Sequence, residues 1–146
     1  MFDRVFIEEA KKRLGEELTI AGWVIRTRDL AKIKFIVMRD MTGEIQVTVK
    51  SLGVFPSEGL GREDVIVVTG KAAQSRIANA GIEFFPVRIE VLNKSRQPLP
   101  VDIAETSQSE LETRLNWRFL DFRAPQTRAI FTIQNRLLST FRRWLT

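Results

Sequence analysis

The side chains able to do chemistry in this chain form a restricted set, because its 146 residues include no cysteine and no histidine. A thiol nucleophile, a histidine general base, a zinc cluster and a disulfide framework are all excluded by that absence. Carboxylates, hydroxyls, amides and cations remain, with 23 Lys and Arg against 18 Asp and Glu and a formal net charge of +5. The balance favours a polyanionic partner, although a basic cluster is also the usual make-up of a solvated face. The cations cluster in sequence: Arg26, Arg28, Lys32 and Lys34 surround Phe35, and Lys50, Lys71 and Arg76 follow. An aromatic ring among cations suits stacking on an unpaired base, and an amide such as Gln46 carries both donors and an acceptor with which to pair a base edge. No glycine-rich phosphate cradle, nucleophile elbow or metal-ligand spacing is present, so no motif supports an active site within the chain itself.

These residues need a scaffold, and the hydrophobic pattern supplies one. Val5, Phe6, Ala10 and Leu14 have loose helical spacing up to Gly15, which predicts a short N-terminal helix. From Leu18 onward five β-rich runs follow, LTIAGWVIRTR, IKFIVMRD, EIQVTVK, DVIVVTGKA and GIEFFPVRIEVL, separated by turn residues. Five short strands with helices only at the flanks predict a small closed or partly closed β-barrel. The second and third runs meet at Asp40-Met41-Thr42-Gly43, where Gly43 is expected in the left-handed conformation of a hairpin loop. After Leu92 closely spaced prolines end the sheet in an extended linker. Beyond it Pro125 is placed as the first residue of a helix, with apolar residues from Ile130 to Leu145 at helical spacing. No apolar run reaches membrane-spanning length, so the chain reads as soluble and cytoplasmic.

Strand parity leaves the candidate site open. Ile33 and Val37 on one side of the second run and Ile36 and Met38 on the other make both faces partly apolar, so Phe35 is either core or outward. Gln46 lies on the polar face of the third run, either as plain solvent surface or as a reader of a base edge. Glu83 shares parity with Phe85, Val87 and Ile89, which would turn it inward, where an unpaired carboxylate is costly. It therefore lies at a rim, beside a bulge, or in a functional role.

Taken in order, GWVIRTRDLAKIKFIVMRDMTGEIQVTV, GIEFFPVRIEVLNKSRQPLPVD and ELETRLNWRFLDFRAPQTRAIFTIQNRLL resemble the aspartyl-tRNA synthetases of the archaeal and eukaryotic lineage across nearly the whole chain. The stretch RFLDFRAPQTRAIF is the most specific part, since lysyl and asparaginyl relatives share the barrel pattern and differ there. The resemblance implies an N-terminal helix over residues 1–15, an OB-fold anticodon-binding barrel over 16–94, a linker over 95–124, and over 125–146 the first, dimer-interface helix of a class II catalytic domain. It further implies recognition of a G-U-C anticodon, with Phe35 stacking on the central base, Gln46 reading that base as uracil, Arg28 contacting the anticodon, Glu83 recognising the first base, and Arg26 as a weaker match. Lys32, Lys34, Lys50, Lys71 and Arg76 would contact phosphates. The full-length family enzyme uses ATP and magnesium and pairs as a homodimer; this fragment would hold no cofactor of its own.

Some positions depart from the family pattern. Strict aspartate-tRNA enzymes often carry histidine where Ile25 stands and proline near Asn79 and Ala80, and the usual glycine pair is replaced by Ala31-Lys32. By resemblance this tilts the chain toward an enzyme that charges both aspartate and asparagine tRNA. Two other classes stand beside this one: a general single-strand-binding barrel, and an interaction protein working through its apolar C-terminal helix.

Overall fold

A computed structural model describes residues 3–30, 33–75, 81–103 and 109–145. It divides into two compact units, Met1–Gln97 and Pro98–Thr146. The first is a closed barrel of five strands, β1 (Glu17–Leu30), β2 (Ile33–Arg39), β3 (Glu44–Val49), β4 (Val65–Gln74) and β5 (Ile82–Asn93), in the order β1-β2-β3-β5-β4. Every pairing is antiparallel except β3 with β5. Closure depends on the long β1, which pairs with β4 along its first half and β2 along its second, Trp23 standing opposite both Arg39 and Val65. Such close contacts need glycine: a Cβ on Gly22 would lie 2.1 Å from the Arg39 carbonyl oxygen, and one on Gly70 would lie 2.2 Å from that of Phe85.

Alternating residues fill the barrel. Ile20 and Val24 of β1, Ile36 and Met38 of β2, Ile45 and Val47 of β3, Ile66 and Val68 of β4 and Phe84 of β5 are sealed from solvent. The helix expected over 1–15 is a single turn, α1 (Ile7–Ala10), and Gly15 at φ 80° turns the chain beyond it. Two apolar residues of that turn, Ile7 and Ala10, are buried in the barrel core. Such a short helix depends on packing rather than propensity.

Two buried carboxylates tie loops to the barrel. Asp40 accepts from the Thr42 amide at 2.7 Å, the Thr42 hydroxyl at 2.6 Å and the Gly43 amide at 3.1 Å, and from the Ile7 amide at 2.8 Å. This side-chain turn shapes the β2–β3 hairpin, and Gly43 is not among the residues at positive φ, contrary to the left-handed conformation expected of it. Asp64, 1% exposed, accepts from the Gly61 and Ser95 amides, both at 2.8 Å, and pairs with Lys94 at 3.1 Å. The end of β5 is thereby fastened to the turn before β4.

In the second unit the stretch expected as a linker contains two short helices, α2 (Leu111–Asn116) and α3 (Arg118–Asp121), before α4 (Pro125–Leu145). Pro125 opens α4, where its missing N–H costs no helical bond. Asp121, 6% exposed, accepts from Arg114 Nε at 2.8 Å and from the Thr127 hydroxyl at 3.2 Å, which fixes the entry to α4. Phe122 meets Phe131 edge-on, with centroids 4.9 Å apart. No described helix is long and apolar enough to cross a membrane.

Burial raises the Asp40 and Asp64 carboxyls, but the hydrogen bonds to each more than offset this and hold both below the usual carboxylate range. A depressed folded-state pKa contributes stability that is fully present above the unfolded value, about 3.9, and is lost as pH falls through the folded one. The urea midpoint is therefore expected to be level from pH 7 to 5 and to fall below about pH 4. Asp64→Asn should lose about 1–3 kcal/mol at pH 7 and show a shallower acid limb. An Asp64→Asn midpoint equal to the parent's at pH 7 would refute this role.

Candidate nucleic-acid interface

A strand residue faces either the core or the outside, and inserting one residue exchanges the two. In β1 the buried positions Leu18, Ile20 and Val24 share parity with Arg26 and Arg28, so regular alternation would bury both arginines. A register shift between Val24 and Arg26 instead sets Arg26 opposite Val37 and Arg28 opposite Phe35, with both arginines exposed. In β5 the sealed Phe84 and the partly buried core residues Ile89 and Val91 have opposite parity. The ladder with β4 accommodates this by shifting register between Thr69 and Gly70, whose partners are Arg88 and Pro86. Glu83 and Phe85 therefore face outward, and the inward turn that alternation gave Glu83 is corrected by this bulge.

The outward residues form one surface. Phe35 is half-buried and flanked by the sealed Ile36, which resolves its parity toward the outer face. It stands opposite Thr48, while Val37 stands opposite Gln46, making Phe35 and Gln46 diagonal neighbours across β2 and β3. On the other side of β3, Gln46 is level with Glu83. The Glu83 carboxylate, 6% exposed, accepts from Gln46 Nε2 at 3.2 Å, from the Thr48 hydroxyl at 3.1 Å and from the Ser75 hydroxyl at 2.8 Å. Three donors compensate a carboxyl group largely withdrawn from water.

The cations divide into groups. Arg26, Arg28, Lys50 and Lys71 are exposed, and Lys50 Nζ lies 4.6 Å from the centre of the Phe85 ring. Lys71 stands opposite Phe85. Lys34 has the parity of the core residues Ile36 and Met38; it pairs with Asp29 at 2.8 Å and caps the Phe55 ring at 4.3 Å. It therefore lies at the barrel end rather than on the face carrying Phe35. Lys32, Arg76, Asn79, Ala80 and Ala31 lie outside the described residues.

Three residues of this surface were not singled out in the sequence. Thr48 shows only as one polar position among several on β3, and Ser75 reaches Glu83 only because β4 and β5 pair. Phe85 left one signal, the adjacent Pro86: a proline inside a strand accompanies bulges and edges. Among the described residues no group of three or more carboxylate, His or Cys side chains could hold a metal ion.

Comparison with known proteins places the barrel in a family. The tRNA anticodon family model, described as an OB-fold nucleic acid binding domain, matches residues 18–92. The chain is 38% identical over 148 residues to the aspartate–tRNA(Asp/Asn) ligase of Archaeoglobus fulgidus, covering 97% of this chain and 34% of that protein. It is 42% identical over 135 residues to the aspartate–tRNA(Asp) ligase of Pyrobaculum aerophilum, covering 88% and 31%. Among solved structures, the asparaginyl-tRNA synthetase of Pyrococcus horikoshii superposes with a TM-score of 0.84 at 31% identity, covering 99% of this chain and 34% of that one. The chain thus spans about a third of the length of the curated relatives it matches. It belongs to the tRNA anticodon family of OB-fold nucleic-acid-binding domains, as the anticodon-binding region found in aspartate–tRNA ligase homologues.

Proposed function

We propose that the face carrying Phe35, Gln46 and Glu83 reads the G-U-C anticodon of aspartate tRNA, as the recognition part of an aspartate–tRNA ligase. The observation that carries this reading is the hydrogen bond from Gln46 Nε2 to Glu83 Oε1 at 3.2 Å. Donating through its nitrogen orients the amide, leaving its carbonyl oxygen to accept from a base and its second N–H to donate. Uracil offers an N3–H donor beside a carbonyl acceptor and cytosine the reverse, an N3 acceptor beside an amino donor. An amide held in one orientation therefore matches one of the two, and this reading assigns that match to uracil. Phe35 supplies the stacking surface for the same base, and Arg28, opposite it in register, suits the adjoining phosphate. Arg26, Lys50 and Lys71 extend the positive charge across the face. Glu83 would recognise the first anticodon base, a guanine whose N1–H and amino group are donors suited to a carboxylate.

The remaining parts of the reading rest on the relatives. The whole enzyme would charge tRNA with aspartate by way of an adenylate made from ATP and Mg2+, in the cytoplasm. Residues 95–124 would connect the barrel to the catalytic domain, of which 125–146 form the first helix. The exposed apolar residues of α4, among them Leu137, Phe141 and Trp144, would meet a second copy in a homodimer. The matched relatives include enzymes named for aspartate tRNA alone and for both tRNAs. Ile25 and the Asn79-Ala80 stretch favour the broader specificity, with asparagine tRNA as a second substrate.

An RNA stem-loop with a G-U-C anticodon is expected to bind, and replacing the central U by C should weaken binding by roughly 1–3 kcal/mol, the size of one base readout. Equal affinities would remove Gln46 as the reader. Phe35→Leu should cost about 1–3 kcal/mol on either loop, since stacking is tolerant of sequence. A general single-strand binder would instead hold any unpaired oligonucleotide alike, with the salt slope as its main signature. Sedimentation should show dimers of the chain that Phe141→Asp dissociates; a monomeric parent would refute the α4 contact.

A further inference from the structure

The line of side chains crossing the outer face at the level of Phe35 ends in a second aromatic ring. Arg28 stands opposite Phe35, and Phe35 opposite Thr48. Across the parallel ladder Gln46 and Val47 are level with Glu83 and Phe84, so the same register carries Thr48 on to Phe85, and Phe85 stands opposite Lys71. The sequence across four seams of the barrel is cation, ring, hydroxyl, ring, cation. Neighbouring strands are about 4.8 Å apart, which puts the two rings on strands about 10 Å apart. A separation of two strand spacings suits two neighbouring nucleotides rather than one base held between both rings. Thr48, 4% exposed, is the low point between them.

Phe85 is set up as a platform rather than as core. Phe84 beside it is sealed in the barrel, whereas Phe85 is half-buried on the opposite side. The side chain that covers it is the exposed Lys50, whose ammonium lies 4.6 Å from the ring centre. An ammonium over a ring at an exposed site is held weakly. A base covers the ring more completely, and a lysine displaced from it is well placed to meet the phosphate of the nucleotide that displaced it. Glu83, two residues earlier on the same face, is hydrogen-bonded to Thr48, the residue level with Phe85.

We propose that Phe85, capped by Lys50 in the free protein, is a second stacking platform that holds the face of the first anticodon base while Glu83 engages its edge. This rests on the anticodon-reading function proposed above; it adds Phe85 to it and gives Lys50 a second position. Binding exchanges the Lys50 ammonium for the base, and Lys50 moves to phosphate.

The test uses the 146-residue chain and three stem-loop RNAs: the intact G-U-C loop, a loop abasic at the first anticodon position, and a loop abasic at the central position. Phe85→Leu should weaken the intact loop roughly 5- to 150-fold, the range of one base–ring stack. That loss should persist on the centrally abasic loop and vanish on the first-position one, with Phe35→Leu showing the reverse pattern. Lys50→Ala should flatten the log–log salt slope by about one, the loss of one phosphate contact. Binding of the intact loop by Phe85→Leu within about twofold of the parent overturns the platform, as does an equal loss on the first-position abasic loop. If circular dichroism shows Phe85→Leu unfolded, Lys50→Ala decides, and an unchanged salt slope overturns the proposal. A parent chain that binds all three loops alike overturns the anticodon reading together with the platform. A selective parent with an unaffected Phe85→Leu overturns the platform alone.

Discussion

A strand can present each side chain to only one of two faces, and a small closed barrel gives those faces opposite fates. The core face must be apolar and continuous; the outer face is where a polyanion can be met. Both strands that flank β2 and β3 break the alternation, β1 once and β5 twice in its ladder with β4. Without the shift in β1 the two arginines would share the side of Val24, and without the shift in β5 Glu83 would share the side of Ile89. Burying any of these charges unpaired would cost several kcal/mol, a large share of a small domain's net stability. The bulges satisfy the core and assemble the interface by the same displacement.

Once outward, Glu83 acquires partners from three other positions. Gln46 and Thr48 reach it across the parallel β3–β5 seam, and Ser75 from the end of β4. A carboxylate so engaged is a fixed reference against which the Gln46 amide is oriented. Selectivity for one pyrimidine over another requires such orientation, because a freely turning amide pairs with either. The aromatic neighbours contribute contact area, and the hydrogen-bonded pair contributes direction.

The second unit shows a comparable economy on a smaller scale. RFLDFRAPQTRAIF holds Asp121 and Thr127, which join Arg114 at the entry to α4. A buried charge paired with an arginine and a hydroxyl specifies one geometry for the turn into a 21-residue helix. The apolar residues along that helix, among them Leu137, Phe141 and Trp144, are exposed in this chain.

Much of the fold was legible in the residue order. Five β-rich runs separated by turn residues have a small barrel as their economical solution, and the bounds of all five strands lie within a few residues of those runs. Pro125 and the periodic apolar residues after it specify a helix by local stereochemistry alone, and the lack of Cys and His excluded whole classes of chemistry. The extent of the first helix, the Asp40-built hairpin turn and the short helices α2 and α3 were not legible, since each depends on contacts with residues distant in sequence or on packing. The orientation of Phe35, Glu83 and Phe85, and the placing of Lys34 at the barrel end, were decided only by tertiary structure. Periodicity states which residues alternate, but a bulge is set by how two strands register against each other, and only the closed sheet determines that.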